Sequence, residues 1–318
     1  MTNTETKEYK NTMKKTGSFK WTINRYGIFF LMLTPALVLL FVFNYLPLTG
    51  LLIAFKDYNL RDGIKGFFVG NWIGFEHFWY LRDAYFWRTV RNTFSITIYR
   101  MIVCFPLPII MAVMLCELRS LKYRRVMQSL SYLPNFISWV IAAYMINSIL
   151  ALDTGIINVI LTKLGLDQVY FMGSNKWFST IVVVSAAWKG TGWGTIIYLA
   201  ALSNISPELQ EASVVDGASR FKRIWHVDLP CIRPTIVIVL ILSMPQLINA
   251  GFEQIMPLQN PANMGASDIL DIYVVRLGIL QTKYSLSTAV SMVISLMNLS
   301  LVLLTNYVSR LLGEDGLF

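Results

Sequence analysis

Long apolar segments alternate with polar stretches along this chain of 318 residues. A helix needs about 20 mostly apolar residues to cross the roughly 30 Å hydrocarbon core of a bilayer. Six segments meet this requirement, and each is predicted to be a membrane-spanning helix. They are approximately Tyr26–Leu46, Thr89–Leu115, Leu133–Leu150, Phe178–Leu202, Thr235–Met256 and Leu286–Tyr307. The pattern therefore predicts an all-α integral membrane protein with six transmembrane helices.

Basic residues beside these segments predict the orientation, because cytoplasmic loops carry an excess of lysine and arginine. The N-terminal tail is basic, as are the second-to-third and fourth-to-fifth connections, whereas 151–177 and 257–285 carry few basic residues. Both termini and the 203–234 loop are therefore expected in the cytoplasm. The predicted division is a basic tail at 1–25, a membrane domain at 26–308 and a C-terminal tail at 309–318. The first outer loop, about 47–88, carries five basic residues against this rule.

Composition supports the membrane assignment and excludes other classes. The chain is 55% hydrophobic and 14% charged, which is too apolar for an ordinary soluble domain. Its net charge of +9 is explained by basic residues beside apolar segments, so nucleic acid is not an expected partner. The N-terminal apolar run is too long for a cleavable signal. Cys104, Cys116 and Cys231 have no metal-like spacing and are interpreted as packing residues.

The polar loop at 203–234 has the pattern of a helix, a turn and a second helix. Ser206 suits the N-cap and Pro207 the first helical position. Glu208 and Glu211 are assigned to the first turn, where the helix dipole favours negative charge. Asp216 and Gly217 are predicted to end the helix in a tight turn.

A basic amphipathic helix is predicted over 218–225, and Leu229, Pro230 and Pro234 are predicted to stop it and return the chain to the membrane. Two short helices with a hard turn between them form a rigid projection. Such a projection on the cytoplasmic face is able to dock another molecule and transmit force.

Glu211-Ala212, Gly217 and Val227–Pro230 resemble the cytoplasmic coupling motif of permease subunits of ATP-binding-cassette (ABC) importers. That motif reads Glu-Ala-Ala, then glycine, then Ile-x-Leu-Pro; this chain departs from it at Ser213 and Val227. Other segments resemble the carbohydrate permeases, especially the branch associated with complex polysaccharides and oligosaccharides. They are Phe55–Asn59, Asn92-Thr93, Gln128–Trp139, Phe252–Ile255 and Ser267–Arg276. Asn135 stands where histidine is expected in that branch.

This resemblance implies a type I importer permease in a bacterial cytoplasmic (inner) membrane. It implies four further partners: a second, homologous permease subunit, two ATPase subunits and an extracytoplasmic solute-binding protein. ATP and Mg would be bound by the ATPase subunits, so no cofactor is expected in this chain. The residues implied in ATPase coupling are Glu208, Glu211, Ala212, Asp216, Gly217, Ala218, Leu229 and Pro230.

Ionisable groups inside a bilayer are costly and usually face a cavity, which makes Arg100, Lys189 and Glu253 candidates for a substrate path. Polar and aromatic residues that complete the candidate path are Asn44, Tyr99, Asn147, Trp188, Trp193, Gln246, Asn249, Gln254 and Asn298. Amide and guanidinium donors with aromatic faces suit an oligosaccharide, and two cations also suit an acidic one such as a uronate chain. Structural alternatives stay open: the two cations snorkel or form structural pairs, the glutamate is interfacial, and the tryptophans serve in packing or in an interfacial belt.

Other functions fit the sequence less well. The only histidines are His77 and His226, and the chain has neither HExxH nor GxSxG, so an intramembrane enzyme is not expected. It also lacks the G-x-x-x-x-G-K-[ST] phosphate loop, so any ATPase of that type is another polypeptide. A secondary transporter would leave the coupling motif unexplained, whereas a permease for a non-sugar solute would share it. Prolines inside the spans, such as Pro106 and Pro108, suit either bending or a hinge.

Overall fold

The computed structural model describes residues 19–243 and 249–311, and most of these residues are helical. Within these ranges the only extended pairing is an isolated bridge between Lys56 and Trp72. The all-α prediction is confirmed. The chain divides after Gly74 into two compact units.

The first unit begins with one long helical stretch. An α-helix, α1 (Phe19–Leu40), continues as a π-helical turn (Phe41–Tyr45) and a 3-10 helix (Leu46–Phe55). Helical structure thus extends beyond the predicted end of the first span, because Pro47 occupies the start of the 3-10 segment, where a missing N–H is tolerated. The unit ends with a short 3-10 turn (Leu60–Asp62) and α2 (Gly63–Val69).

A buried lysine closes the loop after this stretch. The Lys56 ammonium donates to the carbonyl oxygens of Phe67 at 2.8 Å and Phe68 at 3.2 Å, and it lies 4.9 Å from the ring centre of Trp72. These contacts satisfy a charge that would otherwise be costly to bury.

The second unit is built from longer helices joined by short helical turns. Its α-helices are α3 (Ala84–Cys104), α4 (Pro106–Cys116), α5 (Leu121–Tyr132), α6 (Trp139–Ile149), α7 (Ile156–Lys163), α8 (Asn175–Ser203), α9 (Pro207–Val215), α10 (Arg220–Arg223), α11 (Leu229–Ser243), α12 (Phe252–Ile255), α13 (Met264–Ser267), α14 (Leu270–Val275) and α15 (Tyr284–Leu311). The 3-10 helices are Glu76–Arg82, Leu133–Phe136, Phe171–Gly173 and Met256–Leu258, and π-helical turns occupy Ile224–Asp228 and Arg276–Leu280.

Four helical stretches in the described residues are long and apolar enough to cross a membrane: Tyr26–Phe55, Ala84–Cys116, Arg220–Ser243 and Tyr284–Tyr307. A fifth is present if Leu121–Phe136 and Trp139–Ile149, which are bent by 99°, form one span. The predicted third span, Leu133–Leu150, is therefore not one continuous helix, and a span formed by the bent pair would begin earlier than predicted. Pro134 begins a 3-10 turn, and the Ser138 side chain caps a new helix by accepting from Ile141 N–H at 3.3 Å, so the chain changes direction inside the apolar run.

Helix α8 covers the predicted fourth span with 29 residues but is too polar to count among these stretches. Its polar residues are packed inside the unit: Ser185, Lys189 and Thr195 are buried. The helix packs against α3, α4, α5 and α11. The helix thus places these polar residues on its buried face, while apolar residues such as Val184 and Trp193 are exposed.

The start of the fifth span also differs from the prediction. Leu229, Pro230 and Pro234 do not stop the preceding helix, because helical structure continues from Arg220 to Ser243. Helical structure passes both prolines: Pro230 follows the π-helical turn at Ile224–Asp228, and Pro234 lies inside α11. The predicted span to Met256 is also not one helix, since α12 begins after Gly251.

One apolar cluster lies directly behind the 203–234 loop. It joins Ala112 and Leu115 of α4, Tyr198 and Leu202 of α8, and Ile232 of α11. Each of these residues is at most 6% exposed. The loop is thus attached to three helices whose ends are firmly packed.

Candidate coupling loop and substrate path

Helix α9 forms as its sequence predicts. The Ser206 side chain accepts from Glu208 N–H at 3.3 Å, and Pro207 begins the helix. Asp216 caps the other end, and Gly217 has a φ of +73°, a conformation that favours glycine. The first-turn assignment holds for Glu208 but was wrong for Glu211, which is the fifth residue of the helix and lies in its second turn.

The helix turns one face inward and the other to solvent. Ser213 is buried and donates to the carbonyl oxygen of Gln210 at 2.7 Å. The exposed residues of α9 combine acidic and apolar types: Glu208, Leu209, Glu211, Ala212, Val214 and Val215. Val215 is 86% exposed. An exposed large apolar side chain on a rigid, capped helix is typical of a contact surface.

A stacked aromatic pair extends this exposed surface. The rings of Phe221 and Trp225 are 6.4 Å apart and nearly parallel, and both side chains are more than half exposed. Ala218 is half-buried, Leu229 packs against the apolar cluster behind the loop, and Pro230 is exposed. The predicted coupling residues therefore belong to one continuous segment, but only part of them face solvent.

Four polar residues beneath the loop form what we call the polar socket: Glu117, Gln210, Arg223 and Asp228. The Arg223 guanidinium forms an ion pair with Glu117, and its Nε lies 3.9 Å from Asp228 Oδ2. Gln210 Nε2 donates to Asp228 Oδ1 at 3.4 Å. These residues line a cavity of about 70 Å³. The socket connects the loop to α4, because Glu117 directly follows that helix.

Sequence reasoning did not find the polar socket. Arg223 and Glu117 are 106 positions apart, and no spacing rule connects residues at that distance. The only local signal was a pair of charged residues at the cytoplasmic ends of two predicted helices.

Arg100 occupies the most informative position among the substrate-path candidates. It lies near the middle of the 33-residue stretch Ala84–Cys116 and lines a cavity of about 230 Å³ together with Asn249, Thr97 and Cys104. Its Nη2 donates to Gln254 Oε1 at 2.5 Å. The structure thus brings two predicted path residues, Arg100 and Asn249, to the same cavity.

Lys189 has a structural role in the described residues. Its ammonium donates to the Asn135 carbonyl oxygen at 2.7 Å and lies 5.3 Å from the ring centre of Trp139. These two residues flank the sharp bend between the 3-10 helix Leu133–Phe136 and α6. The lysine therefore satisfies a backbone acceptor that the bend leaves open.

The other path candidates are dispersed. Trp188 lines a separate apolar groove of about 420 Å³ between α6 and α8, and Trp193 packs edge-to-face on Phe136. Asn147 donates within its own helix to Ala143, at 3.0 Å. Among the remaining candidates, Tyr99 and Glu253 are exposed in the second unit and Asn44 is exposed in the first. Asn298 has a buried Oδ1 with no hydrogen-bond partner in the described residues. Gln246 lies outside the described residues.

Two of the segments quoted for the family resemblance contact each other. Asn92 Nδ2 donates to the carbonyl oxygens of Gly265 at 2.8 Å and Asp268 at 3.1 Å, and Leu270 N–H donates to Thr93 Oγ1 at 3.0 Å. Asp268 also forms a buried ion pair with Arg276. The paired motifs thus join α3 to the segment before α14.

Comparison with known proteins extends this likeness to most of the chain. It is 40% identical to Protein LplB of Bacillus subtilis (strain 168), covering 91% of this chain and 90% of that protein. It is 35% identical to the polygalacturonan/rhamnogalacturonan transport system permease protein YteP of the same strain, covering 91% and 89%.

A solved structure gives the same result for the fold. The crystal structure of a bacterial ABC transporter involved in the import of the acidic polysaccharide alginate contains a chain 36% identical to this one. The two superpose with a TM-score of 0.84, covering 91% of this chain and 96% of that chain. Residues 104–314 match the family described as the binding-protein-dependent transport system inner membrane component, and this chain belongs to that family.

Proposed function

We propose that this chain is the transmembrane permease subunit of an ATP-driven importer and forms the translocation path for an acidic oligosaccharide. The observation that supports this most directly is the likeness, over 91% of the chain, to a subunit of an importer of an acidic polysaccharide. The relative named for polygalacturonan and rhamnogalacturonan transport supports the same substrate class. An extracytoplasmic binding protein would deliver the substrate, as a solved complex of the alginate transporter with its periplasmic protein suggests.

The proposed topology has six spans with both termini in the cytoplasm. Helix α8 is the fourth span and the bent pair α5–α6 is the third, in addition to the four apolar stretches. Residues 1–25 and 309–318 are the proposed cytoplasmic tails. A second, homologous permease would complete the path, and two ATPase subunits would bind ATP and Mg, so hydrolysis is not assigned to this chain.

The exposed face of α9 is the proposed contact with an ATPase subunit. Glu208, Glu211 and Ala212 lie on that face, and a carboxylate near a helix N-terminus is able to pair with a basic residue of the partner. Asp216, Gly217 and Ala218 form the turn that fixes the direction of α9. Movement of α9 would reach α4 through the polar socket and α11 through Leu229 and Pro230.

The test is ATP hydrolysis by the reconstituted complex, with its binding protein, across neutral and uronate oligosaccharides. Stimulation by uronate chains would support the proposal. Stimulation only by neutral sugars would replace the substrate class, and a flat response from a complex that still hydrolyses ATP would favour a non-sugar solute. Transport that persists after ATP is depleted would indicate a secondary transporter and contradict the coupling assignment.

A further inference from the structure

We propose that Arg100 binds the carboxylate of one acidic sugar unit and that Gln254 is a positioning residue that holds its guanidinium ready for this contact. The inference rests on the proposed acidic substrate and goes beyond it by naming where in the chain acidity is recognised. It also implies that a neutral partner at position 254 is required for recognition.

The first observation is that Arg100 has no counter-ion among the residues that the structure describes. None of the ion pairs formed by the described residues includes Arg100, and residues 244–248, outside the described ranges, contain no aspartate or glutamate. Its Nε is buried without a hydrogen-bond partner in the described residues. A cation near the middle of a span normally pairs with an anion or faces a functional path. Here the missing anion is assigned to the substrate.

The second observation is the arrangement of Gln254, which is 1% exposed. Its Oε1 accepts from Arg100, and its Nε2 donates to the Val182 carbonyl oxygen at 2.7 Å and to Ser185 Oγ at 2.8 Å. Both ends of the amide are therefore occupied, and the side chain is attached to α8. It orients the guanidinium without neutralising it, which leaves the charge available to a ligand.

The third observation is the close approach of backbone at Gly251. A Cβ at this position would lie 2.7 Å from Arg100 Nη1 and 2.8 Å from Nη2, and the residue has a φ of +89°. Both facts favour glycine here. The backbone thus forms a wall against the guanidinium and, with Gln254, confines it to one orientation.

The size of the cavity limits what it takes. A volume of about 230 Å³ is below the roughly 300–1,000 Å³ of pockets for drug-sized ligands, so it admits a part of an oligosaccharide rather than a whole chain. Arg100 offers a planar fork of donors that matches a carboxylate, and Asn249 adds an amide to the same wall. The chemistry fits one uronate unit of a longer chain.

The decisive variant is Gln254→Glu, which places a carboxylate beside Arg100 at almost unchanged volume. It also removes the amide donor to the Val182 carbonyl oxygen, so the acid-to-ester ratio is measured, in which a general loss of stability cancels. We expect kcat/KM for uptake of a uronate oligosaccharide to fall by about 10- to 100-fold, in line with the loss of a charge-assisted contact. Uptake of the methyl ester of the same oligosaccharide, which has the same backbone without the charges, should fall by a smaller factor, so that the acid-to-ester ratio decreases. Arg100→Gln should lower the acid-to-ester ratio in the same way.

A matched control is Arg91→Gln, which removes the same charge from an exposed position on the same helix and should leave the ratio unchanged. All variants are compared in the full complex with one binding protein, so a change in the ratio reports on the permease. A second measurement needs no binding protein. Cys104 lines the cavity, and its rate of labelling by a maleimide is measured in a Cys116→Ser, Cys231→Ser background, where it is the only cysteine left. The free acid should slow this labelling, and Gln254→Glu should abolish the protection.

The outcomes separate this inference from the proposed function. If the unmodified complex imports neither acid nor ester, the acidic-oligosaccharide function fails. If it imports the acid and Gln254→Glu lowers acid and ester uptake in equal proportion, Arg100 and Gln254 have a structural role and the inference is overturned. Unchanged acid uptake in that variant would overturn it as well.

Discussion

Replacing Arg223 by glutamine should destabilise the coupling loop more than replacing Glu117 does. Arg223 is the only cation of the polar socket and faces two carboxylates, Glu117 and Asp228. Without it, both carboxylates lose their cation, and Asp228 is only 5% exposed. Without the charge on Glu117, by contrast, Arg223 still faces Asp228.

The expected magnitudes follow from the exposure of the three side chains. The side chains of Arg223 and Glu117 are 20% and 22% exposed, and that of Asp228 is 7% exposed. The ion pairs are therefore intermediate between exposed surface pairs and fully buried pairs. Exposed pairs contribute about 0.2–1 kcal/mol, and breaking a buried pair costs about 3–5 kcal/mol. We therefore expect a loss of about 2–3 kcal/mol for Arg223→Gln and about 1 kcal/mol for Glu117→Gln, with a coupling energy of about 1 kcal/mol in the double variant.

Two assays measure these values. Reversible unfolding of the purified chain in mixed detergent micelles gives the three free-energy differences of the double-mutant cycle. The ratio of ATP hydrolysed to substrate imported by the assembled complex shows whether the socket transmits movement. Equal losses for the two single variants, or losses that add without any coupling energy, would refute the assignment of Arg223 as the shared cation.

Three further predictions concern other parts of the chain. Gly217→Pro is incompatible with a φ of +73°, and Glu211→Ala removes an exposed carboxylate from the proposed ATPase contact. Both variants should lower uptake per ATP hydrolysed without loss of membrane insertion. Normal uptake in both would contradict the coupling assignment. Lys189→Met leaves the Asn135 carbonyl without its donor and should cost about 1–3 kcal/mol of unfolding free energy, a value that unchanged detergent unfolding would exclude. Burial raises the pKa of the Asp271 carboxyl above its ordinary value, so the folded state disfavours the charged form. The free energy of unfolding therefore falls as pH rises from the ordinary pKa to the raised pKa of the folded state. Asp271→Asn should raise the thermal unfolding midpoint at neutral pH, and this gain should vanish below the ordinary carboxyl pKa of about 3.9.

Local rules predicted helix α9 well because its signals are contained within a dozen residues. The Ser206 cap, Pro207 and the turn at Gly217 each act on the nearest backbone groups, so no distant part of the chain was needed to recognise them. The apolar runs were equally informative for the four stretches long and apolar enough to face lipid.

The errors arose where packing or backbone geometry overrides an apolar pattern. The bend at Pro134 and Ser138 lies at the start of an apolar run that follows the polar helix α5, so hydropathy alone placed the start of the third span at Leu133. Pro230 and Pro234 were interpreted as stops because a proline usually ends an ordinary helix, but Pro230 follows a π-helical turn and the chain continues as a helix that also contains Pro234. Among the candidate cations, Arg100 and Lys189 differ only in their tertiary partners, Gln254 and the Asn135 carbonyl, which no spacing in the sequence reveals.

The two proposals meet on one helical stretch, Ala84–Cys116. Arg100 lies near its middle, Glu117 follows its last residue, and Pro106 begins α4 between them. Phe105 N–H still donates to the Met101 carbonyl oxygen at 3.2 Å, so the stretch stays continuous through the proline. On these proposals, movement received by Glu117 from the socket would pass to the helix that holds the anion contact, but the two contacts use different side chains. Recognition and coupling should therefore be separable: we expect Gln254→Glu to change the acid-to-ester ratio and Arg223→Gln to change the uptake obtained per ATP.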